Sequence, residues 1–91
     1  MYRLVWTPRF SRSAKKFAQS NPELRQRLAQ TLRDLESDPL QSHLRLHPLK
    51  GRMQGLHAVS VTYSFRITLT LQIAEQEIIL HDVGTHDEVY E

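Results

Sequence analysis

Ninety-one residues, 40% of them apolar, can build one hydrophobic core but not two independent ones, so the expectation is a single domain spanning residues 1–91. The absence of cysteine excludes a disulfide framework and zinc sites built on thiolate, and no apolar run approaches the ~20 residues of a membrane span. The net charge of +2 hides an asymmetry: up to Arg52 there are 11 Lys or Arg against 4 acids, and from Met53 only Arg66 against 6 acids, so a +7 half precedes a −5 half. On charge alone, a solvated basic helix face and a nucleic-acid surface account for the first half equally well. "MYRLVWTPRFSR" has neither the apolar centre nor the small-residue cleavage site of a signal peptide, which fits a cytoplasmic protein with no membrane partner.

Residues 2–6, "YRLVW", are rich in strand formers and read as a first strand. Thr7 then suits a helix N-cap and Pro8 the first helical position, where a missing N–H costs nothing. Phe10, Ala14, Phe17 and Ala18 form an apolar stripe flanked by Arg9, Arg12, Lys15 and Lys16. Asn21 and Pro22 repeat the same start signal for a second helix, with Leu24, Leu28, Leu32 and Leu35 as its buried stripe and "SDP" at 37–39 as its end. The short connection predicts an antiparallel helical hairpin. Residues 40–56 are irregular, punctuated by Pro48, Gly51 and Gly55. Val59, Val61 and Tyr63 then alternate with polar residues, as do Phe65, Ile67, Leu69, Leu71 and Ile73. "AEQE" turns the chain into a last strand over 77–83. The expected fold is α+β, in the order β-α-α-β-β-β. The helical hairpin packs on one face of a small antiparallel sheet, and the other face is left for a partner or substrate.

"HPLKG" lacks the second glycine and the Lys-Ser/Thr pair of a P-loop. The five histidines show no ligand spacing that supports a metal, so neither a metal nor another cofactor is expected. No "GxSxG" elbow supports a nucleophilic triad. The residue types that remain suit metal-free acid–base chemistry beside a polyanion. Cleavage of RNA by its own 2′-hydroxyl needs a base for that hydroxyl, cations around the phosphate and an acid for the leaving 5′-oxygen. Histidine can fill both proton roles near neutral pH. Lysine and arginine stabilise charge at phosphorus, and an aromatic ring can stack a base. His47, Lys50, Arg52, Arg66, His86 and Tyr90 supply those types.

"HPLKG", the "YSFRI" strand and above all "VGTHDEVY" resemble the RelE/ParE superfamily of bacterial toxin–antitoxin toxins, and within it the YafQ-type mRNA interferases. The resemblance spans essentially the whole chain, including its RelE-like element order. It implies a toxin of a type II toxin–antitoxin system that enters the ribosomal A site and cuts mRNA. Such a toxin is silenced by a small, acidic, partly disordered cognate antitoxin. It also implies that His47 is the loop histidine, Arg66 the phosphate-facing strand arginine, His86 the near-terminal catalytic histidine and Tyr90 the aromatic beside it. Lys50 joins them in the site; Arg52, Lys15, Lys16 and Arg12 hold RNA. The chain departs from the family pattern at Ser60, Ser64 and Asp82, positions where a histidine, an acid and an arginine are expected. His57 or His81 could substitute, with a packed or solvated histidine the alternative for each. Two other readings stand beside the ribosome-dependent endoribonuclease. One is a ParE-like, non-enzymatic inhibitor of DNA gyrase; the other is an inactive RNA- or protein-binding member of the fold.

The glycine at position 84 is expected to turn the chain so that His86 and Tyr90 reach the mouth of a basic cleft. The antitoxin has two candidate surfaces, that cleft and the basic hairpin flank of Arg12, Lys16, Arg25 and Arg33.

Overall fold

The structure, a computed structural model, describes residues 1–90. Strand β1 (Arg3–Trp6) leads into helix α1 (Pro8–Ser20). Thr7 caps α1 as its sequence context predicts, with Oγ1 accepting from the Phe10 N–H at 3.1 Å. The same hydroxyl donates to the Leu80 carbonyl at 2.7 Å, so the cap also ties the helix to the sheet. The second start signal works differently from the first. Pro22–Leu24 forms a single 3-10 turn, and helix α2 (Arg25–Ser37) begins only after it. Asn21 makes no side-chain cap there; its amide donates to the Phe17 carbonyl at 3.2 Å and closes α1 instead. The Asn21 backbone N–H donates to the same carbonyl at 2.8 Å, so the residue closes α1 with both its backbone and its side chain.

The sheet contains β2 (His47–Pro48), β3 (His57–Ser60), β4 (Phe65–Gln72) and β5 (Glu77–Thr85) besides β1. Its order is β1-β5-β4-β3-β2, with every neighbouring pair antiparallel except β1 and β5, which run parallel. The expected α+β fold with helices on one face is present. Two elements are additions to the expected order: the two-residue edge strand β2 and a short C-terminal helix α3 (His86–Tyr90). Pro48 is tolerated in β2 because an edge strand can leave one N–H position unused.

The core lies between the helices and the sheet. Phe10 and Phe17 of α1 and Leu28 and Leu35 of α2 meet Val59, Ile67, Leu69, Ile78 and Leu80. Phe17 packs edge-on against Phe65 at 4.9 Å between ring centroids, which fixes where β4 begins under α1. The alternation in β4 holds from Phe65 to Leu71, but Ile73 falls in the turn after it and is 64% exposed. Tyr63 likewise leaves the apolar face: β3 stops at Ser60, and Tyr63 stands 89% exposed in the turn that follows.

One irregularity in β5 has consequences for the site. Thr68 pairs with Asp82 and Leu69 with Leu80, so His81 is an extra residue on β5. The bulge reverses the parity of the strand. Ile78 and Leu80 enter the core before it, and Val83 enters after it. Gly84 then comes to lie opposite Arg66. Without the extra residue the last part of β5 would present its other face. Asp82, beside the bulge, receives Arg9 from the start of α1 at 2.9 Å and accepts from the Val83 N–H at 2.9 Å.

Candidate active site

His47 is held in β2 by pairing with Ala58. The chain then makes a closed loop, its base pinned by the Leu49 N–H on the Leu56 carbonyl at 2.9 Å. Gly51 takes a left-handed φ of +65°, a conformation that side chains rarely adopt, and starts the tight turn Gly51–Met53. This loop carries Lys50 and Arg52. Alternation in β4 puts Phe65 and Ile67 on the helix-covered face and Arg66 between them on the other. From β5 the chain passes through Thr85 into α3, which carries His86 and Tyr90.

These segments enclose a cleft of about 430 Å³ lined by His47, Lys50, Arg52, Arg66, His86 and Tyr90, with Leu49 and Met53 as apolar walls. No carboxylate is among its lining residues, and Lys50, Arg52 and Arg66 form no ion pair among the described residues. The fold thus collects the residues expected at the catalytic centre, together with Arg52. Arg12, Lys15 and Lys16 do not join them: all three are exposed on α1, and Lys16 lines a separate cavity with Asp82 and Glu88. Neither possible substitute histidine lines the cleft. His57 pairs with Leu69, away from Arg66, and His81 bonds through Nε2 to Thr70 Oγ1 at 2.7 Å. Burial, helped by the nearby Arg9, holds His81 below the ordinary histidine value and therefore neutral at pH 7.

The two histidines of the cleft are held in different ways. His47 Nδ1 lies 2.9 Å from the Arg45 carbonyl. A carbonyl can only accept, so Nδ1 carries the proton and the neutral ring keeps its lone pair at Nε2. That is the tautomer of a base. His86 Nδ1 instead lies 3.6 Å from the Asp87 carboxylate, which attracts the protonated ring, although both groups are exposed and the pair is weak. The His86 ring meets Tyr90 edge-on at 4.3 Å. Burial raises the Tyr90 hydroxyl above its usual value and the Arg66 charge opposes it, so Tyr90 stays a neutral phenol able to donate.

Arg66 has a structural task that sequence reasoning did not reveal. Its Nη1 donates to the carbonyls of Thr62 at 2.9 Å, Tyr63 at 2.8 Å and, more weakly, Phe65 at 3.3 Å. One end of the guanidinium therefore pins the β3–β4 turn, and Nη2 and Nε remain for a ligand. The expected role of Gly84 also needs correction. It sits within β5, outside any turn, and its φ is not left-handed. Its use is space, since a Cβ there would lie 2.9 Å from Glu88 Oε1 and 3.1 Å from Glu88 Cβ.

Glu88 needs that space because it closes a capping box. The Thr85 N–H donates to Glu88 Oε1 at 2.8 Å, and the Glu88 N–H donates to Thr85 Oγ1 at 3.3 Å. The signal was present in the sequence as "THDE", a Thr-x-x-Glu box. Val89, only 1% exposed, anchors the inner side of α3.

The family described as "Bacterial toxin of type II toxin-antitoxin system, YafQ" matches residues 2–91. The chain belongs to the YafQ family of toxins. Solved YafQ-family and related toxins share its fold. YafQ from E. coli strain BL21(DE3) superposes with a TM-score of 0.81 at 18% identity, over 100% of both chains. The E. coli DinJ–YafQ toxin–antitoxin complex gives 0.78 at 20% identity over 99% of this chain and 98% of the other. The YoeB/ParE toxin from Agrobacterium tumefaciens gives 0.76 at 19% identity over 92% and 98%. No curated protein sequence matches the chain significantly.

The capping box makes the geometry of this YafQ-family cleft testable. Hydrogen bonds from the Thr85 N–H and Oγ1, opposed by slight burial and aided by Lys16, hold the Glu88 carboxyl below its usual value of 4.5. A lowered folded pKa means that the stabilisation is complete above the unfolded value and is lost as pH falls through the lowered one. Glu88→Ala is expected to cost about 0.5–2 kcal/mol of local helix stability, in the range of lost caps, while Glu88→Gln keeps most of the box. Gly84→Ala is expected to act like Glu88→Ala by displacing the carboxylate. Amide NMR shifts of residues 85–90 report it directly. Unchanged shifts in Glu88→Ala would show that Val89 alone holds α3.

Proposed function

We propose that this toxin is an endoribonuclease that cuts mRNA in the ribosomal A site without a metal, using the 2′-hydroxyl of the RNA as nucleophile. The observation that carries the reading is the pairing of two differently held histidines in one cleft with three cations that, among the described residues, are unpaired and share the lining with no carboxylate. In this reading His47 Nε2 takes the proton of the 2′-hydroxyl, and the oxygen attacks the adjacent phosphorus. His86, as imidazolium, gives its proton to the departing 5′-oxygen, leaving a 2′,3′-cyclic phosphate and a 5′-hydroxyl. Arg66 and Lys50 face the charge that builds on the phosphate oxygens. Tyr90, a neutral phenol against His86, keeps that ring in place and offers a hydroxyl donor. Arg52 holds flanking phosphate at the rim. Arg12, Lys15 and Lys16, remote from the cleft, contribute long-range attraction to a polyanion such as the ribosome.

Arg66→Ala would release the β3–β4 turn as well as remove a charge, so the histidines give the cleaner test. His86→Ala and His47→Ala are each expected to slow single-turnover cutting of a reporter mRNA on ribosomes by roughly 10²–10⁴-fold. Ribosome binding stays near wild type. Primer extension reads the cuts, and a His86→Ala protein that still cuts at full rate would remove His86 from the chemistry. Arrest of DNA supercoiling by the purified protein, with mRNA left intact, would instead support gyrase inhibition.

The complementary half of the proposal is a cognate antitoxin, small, acidic and partly disordered. The E. coli YafQ protein has been solved in a complex with DinJ, and charge complementarity fits such a segment to the cleft or to the flank of Arg12, Lys16, Arg25 and Arg33. The adjacent reading frame, co-expressed with tagged toxin, is expected to co-purify and to abolish cutting. Retention of no small partner at moderate salt would count against it.

A further inference from the structure

Arg66 belongs to two clefts. Beyond the turn that it pins lies a second groove of about 300 Å³, lined by Arg27, His43, Arg45, Ser60, Tyr63 and Arg66. Among the described residues, no carboxylate lines the groove. The acid that touches it from outside is Asp34, whose Oδ2 lies 2.9 Å from His43 Nε2. Asp34 is held in its charged form chiefly by that bond and one from Gln30, so its charge is directed at His43. Arg27, Arg45 and Arg66 form no ion pair among the described residues.

Two features here go beyond what the fold requires, one of them at Arg45, whose backbone closes the Ser42–Leu44 turn by donating to the Ser42 carbonyl at 3.2 Å. Tyr63 is 89% exposed on a turn that Arg66 holds by its carbonyls, so the ring projects from a fixed base into solvent. Arg45 takes a left-handed backbone, with φ 55° and ψ 42°, where glycine would be relaxed and a long side chain is strained. Its carbonyl orients His47, a task that glycine could perform equally well. The side chain is therefore the part of Arg45 that the fold does not need.

We propose that the second groove binds the single-stranded mRNA that continues from the cut site, with a base stacked on Tyr63 and phosphates held by Arg45 and Arg27. This rests on the reading of the first cleft as an RNA-cutting site and adds its flanking subsite. Arg66, common to both, lies under the phosphate at the junction. The charge of the groove fits a phosphate backbone, and the exposed ring on a rigid turn fits base stacking that tolerates any sequence.

The test uses the intact toxin carrying His86→Ala, so that RNA is bound but not cut. Fluorescence anisotropy at low salt compares a labelled RNA of about 3 nucleotides with one of about 9, the longer within the range of single-strand sites. The longer RNA is expected to bind at least tenfold more tightly. Adding Tyr63→Ala is expected to weaken the longer RNA by roughly 5- to 100-fold and the shorter hardly at all. Tyr63→Phe keeps the ring and restores binding. Arg45→Gly is expected to raise the melting temperature while weakening the longer RNA and reducing its salt slope by about 0.7. Equal affinity for both lengths overturns the proposal and leaves the first cleft untouched. So does normal binding of both RNAs by a Tyr63→Ala protein that has lost affinity for the ribosome, which would assign the groove to ribosomal RNA. Binding of neither RNA also overturns the second groove, whereas the first cleft stands or falls by primer extension on ribosomes.

Discussion

A helix of five residues cannot hold itself together in water, because nucleating the first turn fixes more backbone than its hydrogen bonds repay. Helix α3 carries His86 and Tyr90, two of the six polar side chains that line the cleft, so the site depends on whatever fixes α3. Three contacts do so: the reciprocal bonds between Thr85 and Glu88, the burial of Val89, and the missing side chain at Gly84 that lets Glu88 approach β5. Each requires the end of β5 to present the correct face. The bulge at His81 arranges that, sending Val83 into the core and placing Gly84 across from Arg66. A register choice in the sheet therefore determines the position of His86.

The unequal charge of the two halves of the chain takes on a different meaning in three dimensions. Three acids of the second half are engaged away from the cleft cations, while Asp87 lies beside His86 at 3.6 Å. Glu77 pairs with Arg3, Asp82 with Arg9, and Glu88 closes the helix cap. The cations at the cleft meet no such partners among the described residues, and the same holds for Arg27 and Arg45 in the adjoining groove. Positive charge left unpaired beside histidines is costly to gather and suits a polyanionic ligand. Arg66 fits both halves of this arrangement, since one nitrogen satisfies turn carbonyls while the rest of its guanidinium stays open to the cleft.

Much of this was legible in the residues. The alternation from Phe65 to Leu71, the Thr7–Pro8 start of α1 and the leucine stripe of α2 specify a helix-covered sheet, because each follows from a local period. The cleft residues could be chosen by chemical type and by resemblance to the family. What escaped was set by tertiary context. His47 and Pro48 form a strand only because β3 offers an edge. Asn21 bonds backward to the Phe17 carbonyl and so caps the end of one helix where its sequence context suggests the start of the next. Tyr63 and Ile73 fit the strand period but fall in turns, which no period reveals. The bulge leaves no mark in an apolar run such as "EIILHDV". Gly84 was read as a turn residue from its type alone, whereas the neighbour that requires it, Glu88, was visible three residues past Thr85 as half of a capping box.

In the proposed reaction the RNA supplies its own nucleophile, and the protein only moves protons and stabilises charge around it. A single chemical change in the substrate tests this more directly than any change in the protein. Ribosomes are programmed with an mRNA carrying a 2′-deoxynucleotide on the 5′ side of the preferred cut, and single-turnover cleavage is compared with the all-ribose message. The expected result is that the substituted bond stays intact while the toxin still binds the complex, and that the ribose message yields a 2′,3′-cyclic phosphate. Cutting of the deoxy-substituted bond at an undiminished rate would show that water or a protein group is the nucleophile and that His47 does not act on a 2′-hydroxyl.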